Sequence, residues 1–114
     1  VITAKATPVP TLIFDEVDSG IGGAVAEVVG KLLRQLGRDR QVLCITHLPQ
    51  VASCGDNHWR VEKRLRNERT VSTLTVLDRD ARVDEVARML AGVSITQNTL
   101  ALAREMIQNP KTAP

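Results

Sequence analysis

The sequence has few aromatic residues: one Phe, one Trp and no Tyr among 114 residues. Aliphatic side chains must therefore fill any core, and a hydrophobic content of 43% is enough to build one. Two cysteines do not make a disulfide framework, which favours a reducing compartment. No apolar run approaches the ~20 residues of a membrane span, and no secretory signal is visible. We therefore expect a cytoplasmic protein with no membrane partner.

An excess of charge of one sign is also lacking. Fifteen Lys and Arg against 13 Asp and Glu give a formal charge of +2 and a pI near 8.8. This balance is too weak to imply a nucleic-acid partner by itself. The length suits one small domain at most, and no internal repeat or low-complexity segment is present.

The most informative stretch is a short apolar run that ends in acids and glycines. A strand of the kind buried on both faces is predicted from Thr11 to Phe14. Asp15, Glu16 and Asp18 follow it, and glycines come next. Acids at the carboxyl end of a strand are typical of ligand sites in open α/β sheets. In P-loop ATPases, the first acid of such a pair holds the Mg²⁺ shell and the second can take a proton from the attacking water.

A helix and a second strand follow the acidic loop. The helix should begin at Gly22 or Gly23 and end at Gly37. Its predicted inward stripe consists of Val25, Val28, Val29, Leu32, Leu33 and Leu36. A second buried-type strand, Gln41 to Thr46, precedes His47. Short connections between these elements predict a βαβ unit with parallel strands. His47 should therefore emerge at the same sheet edge as the acids.

The middle of the chain predicts a short helical turn and a hairpin. The turn covers Pro49 to Cys54, with Pro at its first helical position. The hairpin strands are predicted at Trp59 to Arg64 and Thr70 to Leu77, joined through residues 66–68. Basic residues cluster near the hairpin tip. They are Lys63, Arg64, Arg66 and Arg69. Contact with phosphates is one interpretation, and solvated charge that protects exposed strands is the simpler one.

The last part of the chain predicts two helices. The first runs from a cap at Asp80 to Ala91, with Gly92 just beyond its end. The second is capped either by Ser94, through a capping box with Gln97, or by Thr96. Asn109 and Pro110 should stop it. The first residues, 1–6, are expected to be the tail of a helix ended by prolines.

The stretch from Leu12 to Gly23, followed by Cys44 to Ser53, closely resembles the RecN family of bacterial DNA-repair ATPases, which is related to SMC proteins and ABC ATPases. The likeness continues through the helix at Val83 and the segment Thr96–Thr99, so it covers nearly the whole chain. It implies an α/β fold: the C-terminal half of a P-loop NTPase head of the ABC/SMC type, over residues 1–114. Parallel strands, flanking helices and a β-hairpin are expected.

The resemblance also implies roles for individual residues. Asp15 and Glu16 match a Walker B motif, in which Asp15 would contact Mg²⁺ directly or through water and Glu16 would be the general base. His47 matches a switch histidine; its neutral ring would donate one hydrogen bond to the γ-phosphate of ATP. Asp18, Ser19 and Gly20 match a D-loop that would act at the interface with a second head in a homodimer.

Other parts that the resemblance calls for are not in the sequence. There is no Gly-x-x-x-x-Gly-Lys-Ser/Thr loop to hold phosphates, no Ser-Gly-Gly signature and no coiled coil. We therefore expect a piece of a longer protein that is inactive in isolation. The intact protein would bind and hydrolyse ATP between two heads, would act on DNA in double-strand-break repair and recombination, and would be associated with the nucleoid.

Three alternatives compete with this interpretation. Asp15 to Asp18 also fits the Asp-Glu-x-Asp box of helicases, although helicases lack the glycine-rich continuation. The pairs Cys44/His47 and Cys54/His58 have a spacing that superficially suits zinc. Finally, the chain could be a non-catalytic module for dimerisation or DNA binding, since it lacks the parts of a complete phosphate site.

Overall fold

The computed structural model describes residues 10–15, 20 and 22–108. Strands are β1 (Thr11–Asp15), β2 (Gln41–Ile45), β3 (Trp59–Arg66) and β4 (Arg69–Val76); helices are α1 (Gly23–Leu36), α2 (Pro49–Ala52), α3 (Arg79–Ala91) and α4 (Gln97–Gln108). The predicted helix tail at residues 1–6 and the predicted stop at 109–110 lie outside the described residues. No helix among those described is long and apolar enough to cross a membrane.

The predicted βαβ unit is confirmed. Strands β1 and β2 pair in parallel, in a register that runs from Thr11 opposite Gln41 to Asp15 opposite Ile45. Helix α1 connects them and covers one face of the pair. The core beneath it contains the buried residues Ala26, Leu33, Leu36 and Val51, with Phe14, Val29, Val42, Cys44 and Leu48 packed around them. This core holds the two strands beside α1, and Asp15 and the loop that carries His47 emerge at the same end of the pair.

The prediction that both strands are buried on both faces is wrong. Ile13 is 67% exposed and Ile45 is 57% exposed. Successive side chains of a strand point to opposite faces, so Phe14 and Val42 face α1 while Ile13 and Ile45 face away from it. The apolar composition of the runs suited burial on both faces, but α1 covers only one of them.

The inward stripe predicted for α1 is only partly correct. Leu33 and Leu36 are buried and Val29 is half-buried, as predicted, whereas Val25, Val28 and Leu32 are 53%, 56% and 46% exposed. The helix instead buries Ala26 and Gly30. These small residues allow close approach of α2: a Cβ added at Gly30 would lie 2.7 Å from the Cys54 Sγ. The buried face of α1 therefore combines two small residues with Leu33 and Leu36, and it coincides with the predicted stripe only in part.

The hairpin is confirmed; β3 extends two residues beyond its predicted end, and β4 is shifted by one residue toward the turn. Strands β3 and β4 are antiparallel and pair from Trp59 opposite Val76 to Arg66 opposite Arg69. The turn between them has two residues, Asn67 and Glu68, with φ of 51° and 63°. Positive φ at both central residues is the turn geometry whose twist matches that of the paired strands.

Helices α3 and α4 pack together around a second core. Its buried residues are Val83, Val86, Ala87 and Ala103, and Leu90, Leu100 and Ile107 pack against them. The cap of α3 is Asp78, whose Oδ1 accepts from the Ala81 N–H at 2.8 Å, so the prediction of Asp80 is wrong by two residues. At α4, the Thr99 N–H donates to the Thr96 Oγ1 at 3.2 Å, which decides for Thr96 over Ser94. In both cases the residue immediately before the first helical residue is the cap.

Candidate functional site

Asp15 and His47 lie at the same edge of the β1–β2 pair. Asp15 is the last residue of β1 and is opposite Ile45, the last residue of β2, so both strands end at one level. His47 follows two residues after Ile45. The side chains of Asp15 and His47 are both exposed. A parallel pair whose carboxyl ends both carry polar groups is where open α/β sheets bind ligands.

The loop that carries His47 is anchored on both sides of the histidine. The Leu48 N–H donates to the Thr46 Oγ1 at 3.0 Å, which closes a tight turn around His47. Leu48 is half-buried against the α1 core, and its carbonyl accepts from both Val51 and Ala52 at 3.1 Å. Pro49, at the start of α2, further limits the backbone. His47 is thus exposed on a loop whose neighbours are fixed.

Three of the predicted site residues, Glu16, Asp18 and Ser19, lie outside the described residues. Gly20 is described: it is exposed, with a φ of 76°, a conformation that favours glycine. Gly22 then caps α1 with extended backbone. The structure therefore brings Asp15 and His47 to one edge and places Gly20 in the segment that returns from this edge to α1.

The donors at this edge fit a magnesium ion only if phosphates and water complete its shell. Asp15 supplies one carboxylate, and no group of three His, Cys, Asp or Glu that could hold a metal occurs within the described ranges. Mg²⁺ commonly uses one or two carboxylates together with substrate phosphates and water. One carboxylate at the sheet edge is consistent with that pattern, and it differs from a site built from protein ligands alone.

The two cysteines of the zinc alternative are occupied in packing. Cys44 packs against the α1 core. The Cys54 Sγ is buried and donates to the Gln50 carbonyl at 3.4 Å, and burial raises the pKa of this thiol, which favours the protonated form over the thiolate that zinc requires. The structure therefore gives the cysteines a packing role.

The segment that follows α2 is held by two arginines that the sequence did not single out. Arg34 donates to the Cys54 carbonyl at 2.7 Å and pairs with Asp56 at 3.0 Å. Arg82, from α3, donates to the carbonyls of Ala52 and Ser53, each at 3.2 Å. Carbonyls left without partners at the end of a helix are satisfied in this way. The two arginines thereby link the support of the His47 loop to α1 and α3.

Gln50 is a third residue that sequence reasoning missed. It lies within α2, three residues after His47, and its amide nitrogen is 3.3 Å from the position of a Cβ added at Gly23. Its Oε1 is buried and has no hydrogen-bond partner in the described part of the chain. Gln50 therefore lies between the His47 loop and the first turn of α1. The sequence signal for Gln50 was its polar side chain three residues after the candidate histidine.

A buried carboxylate joins the hairpin to α3. Glu85 is only 4% exposed; it pairs with Arg60 of β3 at 3.6 Å and also with Arg88. Burial by itself raises the pKa of Glu85, but the hydrogen bonds and charges of Arg88 and Arg60 outweigh it, and the pKa is lowered overall. Glu85 is therefore ionised and fixes the base of the hairpin against α3.

Comparison with known proteins identifies sequence relatives. The DNA repair protein RecN of Vibrio cholerae is 52% identical over 107 residues, which are 94% of this chain and 19% of that protein. RecN of Deinococcus radiodurans and of Bacillus subtilis are 44% and 41% identical over the same shares. No known protein-family profile matches the chain.

A solved SMC ATPase, described in work on ATP-driven dimerization and DNA-stimulated activation, has a similar fold. Its TM-score is 0.61 at 20% sequence identity, and the match covers 76% of this chain and 52% of that one. The fold is therefore of the SMC ATPase type, and the helicase alternative is not favoured. The chain is a relative of the RecN DNA repair proteins, and it spans about a fifth of their length.

Proposed function

We propose that this chain supplies half of an ATP-hydrolysing site in a DNA repair ATPase, as the C-terminal half of a head over residues 1–114. The observation that carries the proposal is the common edge of β1 and β2. There, Asp15 ends β1 opposite Ile45, the last residue of β2, and His47 follows two residues later. The sequence relationship to RecN and the SMC-type fold support the same assignment.

In this proposal, each residue at the edge has one role. Asp15 orients Mg²⁺, directly or through water, and the ion neutralises charge on the phosphates. Glu16, next in the chain, accepts a proton from the attacking water. His47, on its anchored loop, donates one hydrogen bond to the γ-phosphate and so distinguishes ATP from ADP. Asp18, Ser19 and Gly20 contact the nucleotide interface with a second head.

The remaining machinery must come from outside the 114 residues. Phosphate binding in P-loop enzymes depends on a glycine-rich loop and a lysine that the sequence does not contain. We therefore propose that the isolated chain does not hydrolyse ATP and binds it weakly. The intact protein would act in the cytoplasm, at the nucleoid, as a head homodimer on broken DNA. A non-catalytic module would not need acids and a histidine at one strand edge.

Replacement of Glu16 by Gln in the intact protein tests the proposal. The amide keeps the size of the side chain but removes the base, so ATP should still bind while steady-state turnover falls by about 10²–10⁴-fold. Glu27→Gln is a matched control, because Glu27 is exposed on α1 and pairs with Lys31 of the same helix. Near-normal turnover in the Glu16→Gln protein would contradict the proposal.

A further inference from the structure

The net positive charge of the chain is concentrated at the hairpin tip. Residues 63–70 include four of the 15 basic residues and one of the 13 acidic ones, so this segment has a charge of +3. The remainder of the chain has eleven basic and twelve acidic residues, a charge of −1. All eight residues of the tip are exposed. The small net charge of the whole chain is therefore the sum of a strongly basic tip and a slightly acidic remainder.

Three of these cations share one face of the ribbon. Arg64 and Arg66 are two residues apart on β3, about 6.6 Å along the strand, so they point to the same side. Arg69 of β4 is directly opposite Arg66 and shares that face. The exposed apolar residues Val61 and Leu65 lie on the other face. The arginines therefore form a short row on the face opposite those two residues, and Val71, the partner of Arg64 in the ladder, lies beside them.

The fold does not account for the pair Arg66 and Arg69. Like charges directly opposite each other in a ladder destabilise the pairing. Within the described part of the chain, neither residue has an ion pair or side-chain hydrogen bond, whereas Arg64 and Arg60 both pair with Glu62. The two-residue turn next to the pair places Arg66 and Arg69 directly opposite each other in the ladder. An anion that bridges them would offset their repulsion.

We propose that this arginine face of the hairpin tip binds the phosphate backbone of a nucleic acid. A row of guanidinium groups fits a row of phosphates, because each fork can hold a phosphate through two parallel hydrogen bonds. The Glu85 contact with Arg60 ties the base of the hairpin to α3, so the tip is presented on a supported ribbon. The choice of nucleic acid over another polyanion rests on the proposed function in DNA repair.

The test is the salt dependence of duplex binding by the intact protein without nucleotide, measured by fluorescence anisotropy on a short labelled duplex. Each lost phosphate contact lowers the slope of log K against log salt by about 0.9. The Arg66→Gln/Arg69→Gln protein should therefore have a slope smaller by roughly 1.8, and a binding constant at least about tenfold lower at 0.1 M salt. The charge-preserving Arg66→Lys/Arg69→Lys protein should keep most of the slope.

The control is Arg79→Gln/Arg104→Gln, which removes the same charge from exposed positions on α3 and α4. An unchanged slope in the tip variant, or an equal decrease in this control, would overturn the inference. So would tip-dependent binding to poly-glutamate or anionic vesicles with none to DNA. Because the assay contains no nucleotide, these outcomes are independent of the Glu16→Gln test. If the double variant folds poorly, Arg69→Gln alone should lower the slope by about 0.9.

Discussion

Gly30 should resist replacement by alanine although it lies in the middle of a helix. Alanine in a helix interior ordinarily stabilises by about 1 kcal/mol relative to glycine. At this position the added Cβ would lie 2.7 Å from the Cys54 Sγ and 3.0 Å from the Gln50 carbonyl oxygen. Neither atom can move freely, since Cys54 is buried and its thiol is bonded to that same carbonyl.

The two effects oppose each other, and the clash should be the larger one. Overpacking a well-filled core costs about 1–3 kcal/mol. After the gain in helix propensity is subtracted, Gly30→Ala should lower the free energy of unfolding by about 1 kcal/mol. With a urea m-value of roughly 1–3 kcal/mol/M, the midpoint should fall by roughly 0.3–1 M. Urea unfolding followed by circular dichroism of the helices measures this shift.

Gly23→Ala is the matched control on the same helix. Its added Cβ would be 3.3 Å from the amide nitrogen of Gln50, the movable end of a side chain, so the variant should be neutral or slightly stabilised. In a Cys54→Ala background, which removes the sulfur, Gly30→Ala should cost less, with a coupling of at least about 0.5 kcal/mol. If Gly30→Ala proved as stable as the parent, the close approach of α1 and α2 would be refuted.

Two further predictions concern the hairpin. The pKa of Glu85 is lowered in the folded protein, so its contribution to stability is present above its unfolded value, near 4.5, and is lost as the pH falls through the folded pKa. Glu85→Gln should therefore lower the free energy of unfolding by about 1–3 kcal/mol at pH 7. It should also make the free energy of unfolding less sensitive to pH below about 4.5. Urea titrations at a series of pH values measure both effects, and an unchanged pH profile would contradict the prediction. The second prediction concerns Glu68, whose φ of 63° is unfavourable for a residue with a Cβ. Glu68→Gly should therefore stabilise the hairpin by up to about 1 kcal/mol. Hydrogen exchange of the β3 and β4 amides should become slower, and faster exchange would count against the prediction.

The position of the candidate site could be predicted from sequence because it depends on local pattern and short connections. Two apolar runs, joined by one helix with short loops, leave the parallel arrangement as the favoured one, and their ends then coincide. Asp15 and His47 accordingly lie where the sequence places them. The parts of this prediction that depend on Glu16, Asp18 and Ser19 stay predictions.

What the sequence could not provide is which apolar surfaces are covered. Val28 and Leu32 suit a core, yet they are exposed, whereas the small residues Ala26 and Gly30 of α1 are buried. A glycine within a helical pattern was the signal for close packing. The buried position of Glu85 could not be predicted either, because its partner Arg60 lies 25 positions earlier in the chain. Such contacts join distant segments, and periodicity within one helix does not reveal them.

The central claim is that Asp15, at the edge shared with His47, orients the metal ion of an ATP-hydrolysing site. The most direct measurement is ATP turnover of the intact Asp15→Asn protein as a function of Mg²⁺ concentration, with Asp39→Asn, an exposed change in the turn after α1, as the control. The amide is a weaker ligand, so turnover should fall about tenfold or more and half-maximal activity should require more Mg²⁺. Unaltered turnover with the Mg²⁺ dependence of the parent protein would contradict the claim.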